Sequence, residues 1–268
     1  MTFNEPVVLG RTGLKVGRLG IASGYGAPAA AIEEAFERGS NYFTWGTVIK
    51  GYAPGMREAL KNIAAKGQRD RLVLACFTYA HSNTFTEKML RRGLKSAGLV
   101  HADVLILGYF SRKVPRRLID GALRLKEKGL VRFIGISSHD RKLLGRLAQD
   151  GEFDVLHFRY NAAHLRAEQD IFPSLKGEKR PGAVAFTATR WGQLLKAKKM
   201  PPGEKPLTAA ECYRFVLSNP AVDVCMSGAK TVEQMRENLA VLDARPLTPG
   251  EMARVRRIGD HVYGRKRR

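Results

Sequence analysis

The residues best suited to bind a ligand stand near the end of the chain, in the segment VDVCMSGAKTVEQMRENLAVL that begins at Val222. Its apolar start, Val222 to Met226, predicts a buried strand. Thr231, with Gln234 three positions later, predicts a capped helix start. The turn between strand and helix holds small residues and one cation, Ser227, Gly228, Ala229 and Lys230. Backbone N–H groups that point out of such a turn bind anions, phosphate above all, although an ordinary strand–helix turn has the same pattern.

The elements that must position this turn repeat one pattern. Short apolar runs alternate with amphipathic segments eight times, from the predicted strand Leu19 to Ala22 to the last predicted helix, Val232 to Leu242. Continuous hydrophobic strands are typical of a parallel sheet covered on both faces. Eight strand–helix units predict a (β/α)8 TIM barrel, and we interpret residues 1–268 as one domain because no linker divides them. Ligand sites of such barrels lie at the carboxyl ends of the strands, where the turn at Ser227 falls.

Two further elements are predicted outside the repeat. Val7 to Leu9 and Leu14 to Val16 flank Gly13 and predict an N-terminal β-hairpin that plugs the bottom of the barrel. Residues 249–263 predict an extra C-terminal helix. The longest irregular stretch, residues 192–206, is expected to be a loop after the seventh barrel strand.

Composition and cysteine use predict a cytoplasmic protein. The chain has 268 residues, 44% of them hydrophobic, and a mean hydropathy of −0.25, which is typical of a soluble globular protein. Its apolar runs are shorter than the roughly 18 residues of a membrane span, and its N-terminus lacks the pattern of a signal peptide. Three cysteines, Cys76, Cys212 and Cys225, are far apart and are expected to be buried thiols without a metal site.

The net charge of +21 favours anionic partners. Nucleic acid is one such partner, and a cationic nucleic-acid-associated protein is one hypothesis for this chain. The basic residues are spread out, however, and no nucleic-acid recognition motif accompanies them. We therefore interpret them as a solvated surface and expect no nucleic-acid or membrane partner.

Several segments together resemble the aldo-keto reductase family. LGRTGLKVGRLG resembles that family's N-terminal hairpin, GLVRFIGISSHD its fifth strand and FDVLHFRYNAAHLRAEQDIFP its sixth. FVLSNPAVDVCMSGAKTVEQMRENLAVL is similar to its last helix–strand–helix unit. The resemblance spans nearly the whole chain and implies a barrel that binds NADPH or NADH and reduces a small carbonyl compound.

The resemblance also implies roles for particular residues. Ser137 and Ser138 match a strand-five pair that bonds the nicotinamide carboxamide, with His157 where the family usually has a Gln for the same group. Phe186 occupies the place of the aromatic residue that stacks on the nicotinamide. The phosphates would contact Ser227, Gly228, Ala229, Lys230 and Thr231, and the adenine would contact Glu237 and Asn238. Gln234 stands where many members have an Arg for the 2′-phosphate, so the resemblance does not decide between NADPH and NADH.

The family's catalytic tetrad of Asp, Tyr, Lys and His is largely missing. Where the Asp belongs, NYF is followed by Thr44, Trp45 and Gly46; Phe77 replaces the Lys and Gly108 replaces the His. The tyrosine has one candidate, Tyr52. A rebuilt acid is an alternative, because Tyr79 and Tyr109 also stand near predicted strand ends, and Lys50 or His81 could serve as a neighbour that lowers a tyrosine pKa.

Two functional hypotheses follow. The first is a NAD(P)H-dependent oxidoreductase that reduces an aldehyde or ketone, with Tyr52 as proton donor. The alternative is a catalytically impaired nucleotide-binding or redox-sensing barrel that keeps the cofactor site. The sequence leaves open whether the chain is an active enzyme, which substrate it takes and its oligomeric state.

Overall fold

Eight parallel strands close into a barrel in the computed structural model, which describes residues 2–46 and 53–264. Each strand is hydrogen-bonded to the next along the chain, and the last closes on the first. The strands are β3 Leu19–Ala22, β4 Tyr42–Gly46, β5 Val73–Thr78, β6 Ala102–Gly108, β7 Val131–Ser138, β8 Val155–Arg159, β9 Gly182–Phe186 and β10 Val224–Ser227. The predicted (β/α)8 barrel is therefore confirmed.

Helices follow the strands and form the outer layer. They are α1 Ala29–Glu37, α2 Pro54–Ala65, α3 Asn83–Ser96, α4 Arg116–Glu127, α5 Arg141–Asp150, α6 Ala167–Asp170, α7 Ala209–Leu217, α8 Val232–Leu239 and α9 Pro249–Tyr263. The last of these is the predicted C-terminal helix. Its start is held by a capping box between Thr248 and Glu251. None of the described helices is long and apolar enough to cross a membrane.

Alternate residues of each strand face the barrel interior, because side chains on a strand alternate between its two faces. The interior is filled by β-branched, small and aromatic side chains, among them Tyr42, Val73, Ala75, Val104, Ile106, Val155, Val184 and Val224. The opposite faces pack against the helices in a second, larger cluster that contains Phe43, Leu74, Leu105, Ile134, Leu156 and Cys225. The interior is a packed core, so a ligand can enter only at its ends.

The bottom of the barrel is plugged by the predicted hairpin. Its strands β1 Val7–Val8 and β2 Lys15–Val16 pair antiparallel. Leu9 is completely buried and lies against Gly182, the first residue of β9. Since strands begin at the bottom, the carboxyl ends at the opposite rim remain accessible.

Buried carboxylates are used structurally near the strand starts. Asp223 accepts two hydrogen bonds from the Arg180 guanidinium, at 2.6 and 2.8 Å, and a third from the backbone N–H of Ala183 at 2.8 Å. Asp103 similarly bonds Arg69 at 2.9 Å and Arg132 at 3.1 Å. These carboxylates are fully engaged in holding the bottom of the sheet.

The segment after β8 differs from the sequence-based expectation. The alternation of strands and helices predicts that a helix from Glu168 to Leu175 follows this strand. In the structure, α6 ends at Asp170 and a 3-10 turn follows over Phe172–Ser174. The cause is Pro173, which lacks a backbone N–H and cannot continue a helix. The predicted loop over residues 192–206 likewise contains two 3-10 turns, Gln193–Leu195 and Ala197–Lys199.

Candidate functional site

A cleft of about 330 Å³ opens at the carboxyl ends of the strands. Volumes of this order are typical of small-molecule sites. Residues from all eight barrel strands or from the loops after them line it: Ala22, Ser23, Gly24, Tyr25, Thr44, Trp45, Gly46, Phe77, Tyr79, Tyr109, Ser137, His139, His157, Phe186, Thr187, Trp191, Met226 and Ser227. Among these described lining residues there is no Asp, Glu, Lys or Arg.

A run of stacked rings forms one wall of the cleft. Tyr79 stacks on Phe77 with ring centroids 6.0 Å apart, and on Tyr109 at 5.2 Å. Tyr109 stacks in turn on His139 at 5.2 Å with an interplanar angle of 5°. His139 then makes a T-shaped contact with Phe186, with ring centroids 5.5 Å apart. The wall therefore offers flat, uncharged surfaces to a planar ligand.

The stack explains why Gly108 can stand where the resemblance implies a histidine. A Cβ at Gly108 would lie 2.5 Å from Cε1 of Tyr79. The tyrosine ring thus fills the space that a side chain at residue 108 would need. Burial raises the pKa of Tyr79, as does its contact with Tyr109, so this hydroxyl is a weaker acid than an ordinary tyrosine.

Tyr52 and Lys50, two residues predicted to carry or support the proton donor, lie outside the described residues. Of the alternatives, Tyr79 and Tyr109 both line the cleft. His81 is exposed and contacts Phe110 rather than either tyrosine. Burial also raises the pKa of Tyr25, with a smaller contribution from Tyr109. The predicted pairing of His81 with Tyr79 or Tyr109, which would lower the tyrosine pKa, is therefore absent among the described side chains.

Ser137 is a polar group that lacks a protein partner. It is 1% exposed, lines the cleft, and its Oγ has no hydrogen-bond partner among the described residues. Buried hydroxyl groups are nearly always bonded, so an unpaired one in a cleft indicates a place for a ligand atom. Ser138 is turned away from the cleft, since its Oγ donates to the Phe110 carbonyl at 2.5 Å and accepts from the Asp140 N–H at 2.9 Å.

His157 stands beside Ser137, opposite it in the strand register. Its Nε2 is 2.8 Å from the Oη of Tyr42, and the ring meets Phe77 edge-on at 5.3 Å. Burial lowers the pKa of His157 to about 3, so the imidazole is neutral at pH 7. With Nε2 engaged by Tyr42, Nδ1 is the ring nitrogen left for a ligand, as a donor or an acceptor according to the tautomer.

The predicted phosphate turn lies at the edge of the same cleft. Ser227 donates to the Gly20 carbonyl at 3.1 Å, and Gly228 is covered by the ring of Tyr25, which leaves no room for a Cβ. Ala229 is buried, whereas Lys230 is exposed. Any larger residue at position 228 would therefore have to displace the Tyr25 ring, which covers the turn.

The helix after the turn is capped by its own side chains. Thr231 accepts from the Gln234 N–H at 3.2 Å, and Gln234 Oε1 accepts from the Lys230 N–H at 2.9 Å. Asn238 is buried and donates to the Gly228 carbonyl at 3.3 Å, while Glu237 is exposed. Gln234 and Asn238 thus hold the turn, and Gln234 occupies one N–H that a phosphate would otherwise use.

The turn after β9 contributes Thr187 and Trp191 to the cleft, two residues that the sequence analysis missed. Thr187, Arg190 and Trp191 have positive φ angles of 63°, 50° and 51°. Such conformations cost about 1–3 kcal/mol each in residues other than glycine and cluster at functional sites. The turn places Trp191 in the cleft with Arg159 over its ring, 6.0 Å from the centroid. The signal available in the sequence was Arg159 itself, a charged residue at the end of a buried strand.

Comparison with solved structures finds the same architecture in aldo-keto reductases. The aldo-keto reductase AKR11C1 from Bacillus halodurans superimposes in its holo form with a TM-score of 0.77, covering 95% of this chain and 96% of that one at 18% identity. Its apo form gives 0.74, covering 95% of each chain at 19% identity. The chain has the aldo-keto reductase fold.

Another structure with this aldo-keto reductase fold is PA4992 of Pseudomonas aeruginosa, whose assignment as an aldo-keto reductase is itself inferred. It matches with a TM-score of 0.69 at 19% identity, covering 90% of this chain and 96% of that one. No family model and no curated protein matches the sequence. The fold is thus supported by three-dimensional similarity, with little sequence identity.

Proposed function

We propose that this chain is a NAD(P)H-dependent oxidoreductase of the aldo-keto reductase type that reduces an aldehyde or ketone. The observation that carries the proposal is the unpaired, buried Ser137 hydroxyl at the carboxyl end of β7, in a barrel with the aldo-keto reductase fold. It stands next to His157, whose ring has one nitrogen left for a ligand. Both lie in a cleft with flat aromatic walls.

The residues present fit a nicotinamide. A carboxamide needs both a donor and an acceptor, and Ser137 Oγ and His157 Nδ1 supply these on adjacent strands. Phe186 lines the cleft as a half-buried ring that can contact a planar heterocycle. The turn from Ser227 to Thr231 would bind the phosphates, with Lys230 as an exposed cation. Glu237 and Asn238 are proposed for the adenine, whereas the Ser138 hydroxyl, expected at the carboxamide, is already engaged by Phe110 and Asp140.

When bound, the nicotinamide supplies a hydride to the carbonyl carbon. The contribution of this chain is to hold the two reactants together and to deliver a proton to the carbonyl oxygen. The aromatic wall orients a planar carbonyl compound, and the absence of charged lining residues among those described favours an uncharged reacting centre. Tyr52 remains the proposed proton donor, with Tyr79 and Tyr109 as alternatives.

Cofactor binding is the first test. NADPH and NADH are titrated separately into the full chain, and binding is followed by the fluorescence of the reduced nicotinamide. We expect saturation at micromolar concentration, and an affinity about tenfold lower in Ser137→Ala, which loses one hydrogen bond to the ligand. Lack of saturation with both cofactors would contradict the proposal. The ratio of the two affinities tells whether Gln234 and Lys230 discriminate the 2′-phosphate.

Turnover is the second test. A panel of aldehydes and ketones is assayed by oxidation of the preferred cofactor, in wild type and in Tyr52→Phe, Tyr79→Phe and Tyr109→Phe. We expect turnover that Tyr52→Phe abolishes. Full activity of Tyr52→Phe would transfer the role to whichever other variant is inactive. Saturable cofactor binding without turnover of any compound would support the alternative, a nucleotide-binding or redox-sensing barrel without catalysis.

A further inference from the structure

Arg159 is the final residue of β8, two positions after His157 on the same face of the strand. It stands opposite Phe186 in the register of β8 and β9. Its side chain is half-buried, and its guanidinium lies over the Trp191 ring. Because Phe186 and Trp191 both line the cleft, Arg159 borders the candidate site at the corner between β8 and β9.

The guanidinium of Arg159 has no hydrogen-bonding partner among the described residues, and its Nε is completely buried. Most other half-buried arginines in residues 2–46 and 53–264 donate to a carboxylate or a backbone carbonyl; examples are Arg11, Arg18, Arg69, Arg141, Arg180 and Arg190. A buried cationic donor without an acceptor is unfavourable, and proteins normally provide one. The acceptor for Arg159 is therefore expected to come from outside the described chain segments.

The surroundings of Arg159 are positively charged. Burial lowers the pKa of Arg159, and the nearby charges of Arg141 and Arg190 lower it further, while Tyr263 acts in the opposite direction. The acceptors beside these two arginines are already in use, since Asp170 is paired with Arg141 at 3.2 Å and the Val262 carbonyl accepts from Arg190. Concentrated positive charge at the rim of an otherwise uncharged cleft attracts anions.

We propose that Arg159 binds an oxyanion, a carboxylate or a phosphate group, of a ligand whose planar part lies in the aromatic cleft. The planar guanidinium can donate two parallel hydrogen bonds to such a group while its face stays on Trp191. The oxyanion belongs either to an acidic carbonyl substrate or to the cofactor. This proposal deepens the proposed function, since it concerns the same cleft, but binding measurements can test it without any turnover.

The experiment is calorimetric titration of the full chain at pH 7 with three probes: 4-formylbenzoate, its neutral counterpart benzaldehyde, and NADPH. In wild type we expect 4-formylbenzoate to bind at least tenfold more tightly than benzaldehyde if the oxyanion is the substrate's. Arg159→Gln should then lower the affinity for 4-formylbenzoate by about tenfold to hundredfold and leave benzaldehyde unchanged. If the oxyanion is the cofactor's, the same variant lowers the affinity for NADPH instead.

Two further variants test whether the effect depends on the guanidinium group and on its position at residue 159. Arg159→Lys keeps the charge but loses the planar pair of donors, so we expect an intermediate affinity. Arg92→Gln removes an exposed arginine of α3 that has no ion pair among the described residues, and it should bind all three probes as wild type does. Thermal melting of each variant verifies that it is folded.

The outcomes separate this proposal from the proposed function. Equal affinities of wild type and Arg159→Gln for both 4-formylbenzoate and NADPH would overturn the role of Arg159, even if the chain reduces carbonyls. Conversely, Arg159-dependent binding of 4-formylbenzoate with no binding of NADPH would support the oxyanion site and contradict the cofactor proposal. Weaker Arg159-dependent binding at high salt is expected in either supporting case, because salt screens the charge.

Discussion

The buried imidazole of His157 should make the stability of this protein depend on pH in a way that one substitution removes. In the folded chain burial lowers the pKa of His157 to about 3, from an ordinary value of 6.5. An unfolded chain therefore binds a proton at this residue between pH 6.5 and pH 3, whereas the folded chain does not. Since unfolding takes up a proton in this window, the free energy of unfolding falls as the pH falls.

The magnitude follows from the two pKa values. Each pKa unit corresponds to about 1.4 kcal/mol, and at pH 7 the unfolded imidazole is mostly neutral. Lowering the pH from 7 to 5 should therefore reduce the free energy of unfolding by about 2 kcal/mol through His157 alone. Other groups contribute to the total, so the quantity to measure is the difference between wild type and His157→Gln.

The assay is urea denaturation at pH 7 and pH 5. We expect the decrease in unfolding free energy to be about 2 kcal/mol smaller in His157→Gln than in wild type. His261→Gln, which removes an exposed imidazole of α9, is the matched control and should keep the wild-type decrease. The same pH dependence in wild type and His157→Gln would refute the reasoning, because it would mean that the folded protein protonates His157 as readily as the unfolded one.

A second variant separates the effect of burial on the His157 pKa from the effect of its hydrogen bond with Tyr42. Burial is the cause of the low His157 pKa, and the Tyr42 hydroxyl is only a bonded neighbour at 2.8 Å. Tyr42→Phe should therefore keep the pH dependence of wild type. It should lower stability at both pH values by about 1–3 kcal/mol, because it leaves a buried ring nitrogen without its partner.

Three further predictions concern the site and its supports. Ser137→Ala should leave the melting temperature unchanged or slightly higher, because its hydroxyl bonds no described residue; a clear loss of stability in thermal melting would reveal a structural role. Asp223→Ala should lower the free energy of unfolding in urea by about 3 kcal/mol, because Arg180 would stay half-buried without its carboxylate; a loss below 1 kcal/mol would contradict this. Gly228→Ala should displace the Tyr25 ring and weaken NADPH binding, and unchanged binding by fluorescence titration would show that the turn can relax.

The barrel was predictable because its signals are local and repeated. Each buried strand appears as a short apolar run, for example 73–78, and five of the nine described helices begin at a side-chain cap, as where Ser82 accepts from the Phe85 N–H. Eight repetitions make the architecture insensitive to an error in any one unit. The predicted helix boundary was wrong where a single residue determines the end of the helix, since Pro173 prevents extension of α6.

The site was only partly predictable, because its geometry depends on contacts between distant residues. Strand-end positions could be assigned from the sequence, and Ser137, His157 and Phe186 do line one cleft. The side chain of Ser138, assigned to the same group, is instead turned toward the Phe110 carbonyl. No local pattern reveals which of two adjacent serines faces inward when the strand end is uncertain by one residue, since a shift of one residue exchanges the two faces.

The residues that replace the expected tetrad are coupled to one another, and this limits what a single substitution can restore. Tyr79 lies where a side chain at Gly108 would have to be, and it also supports Tyr109, which supports His139. A histidine introduced at residue 108 would therefore have to displace the ring that organises the wall of the cleft. The uncharged mouth and the aromatic stack are consequently parts of one structural arrangement. That arrangement favours a flat ligand, with Arg159 at its edge as a half-buried cation that has no hydrogen-bonding partner among the described residues.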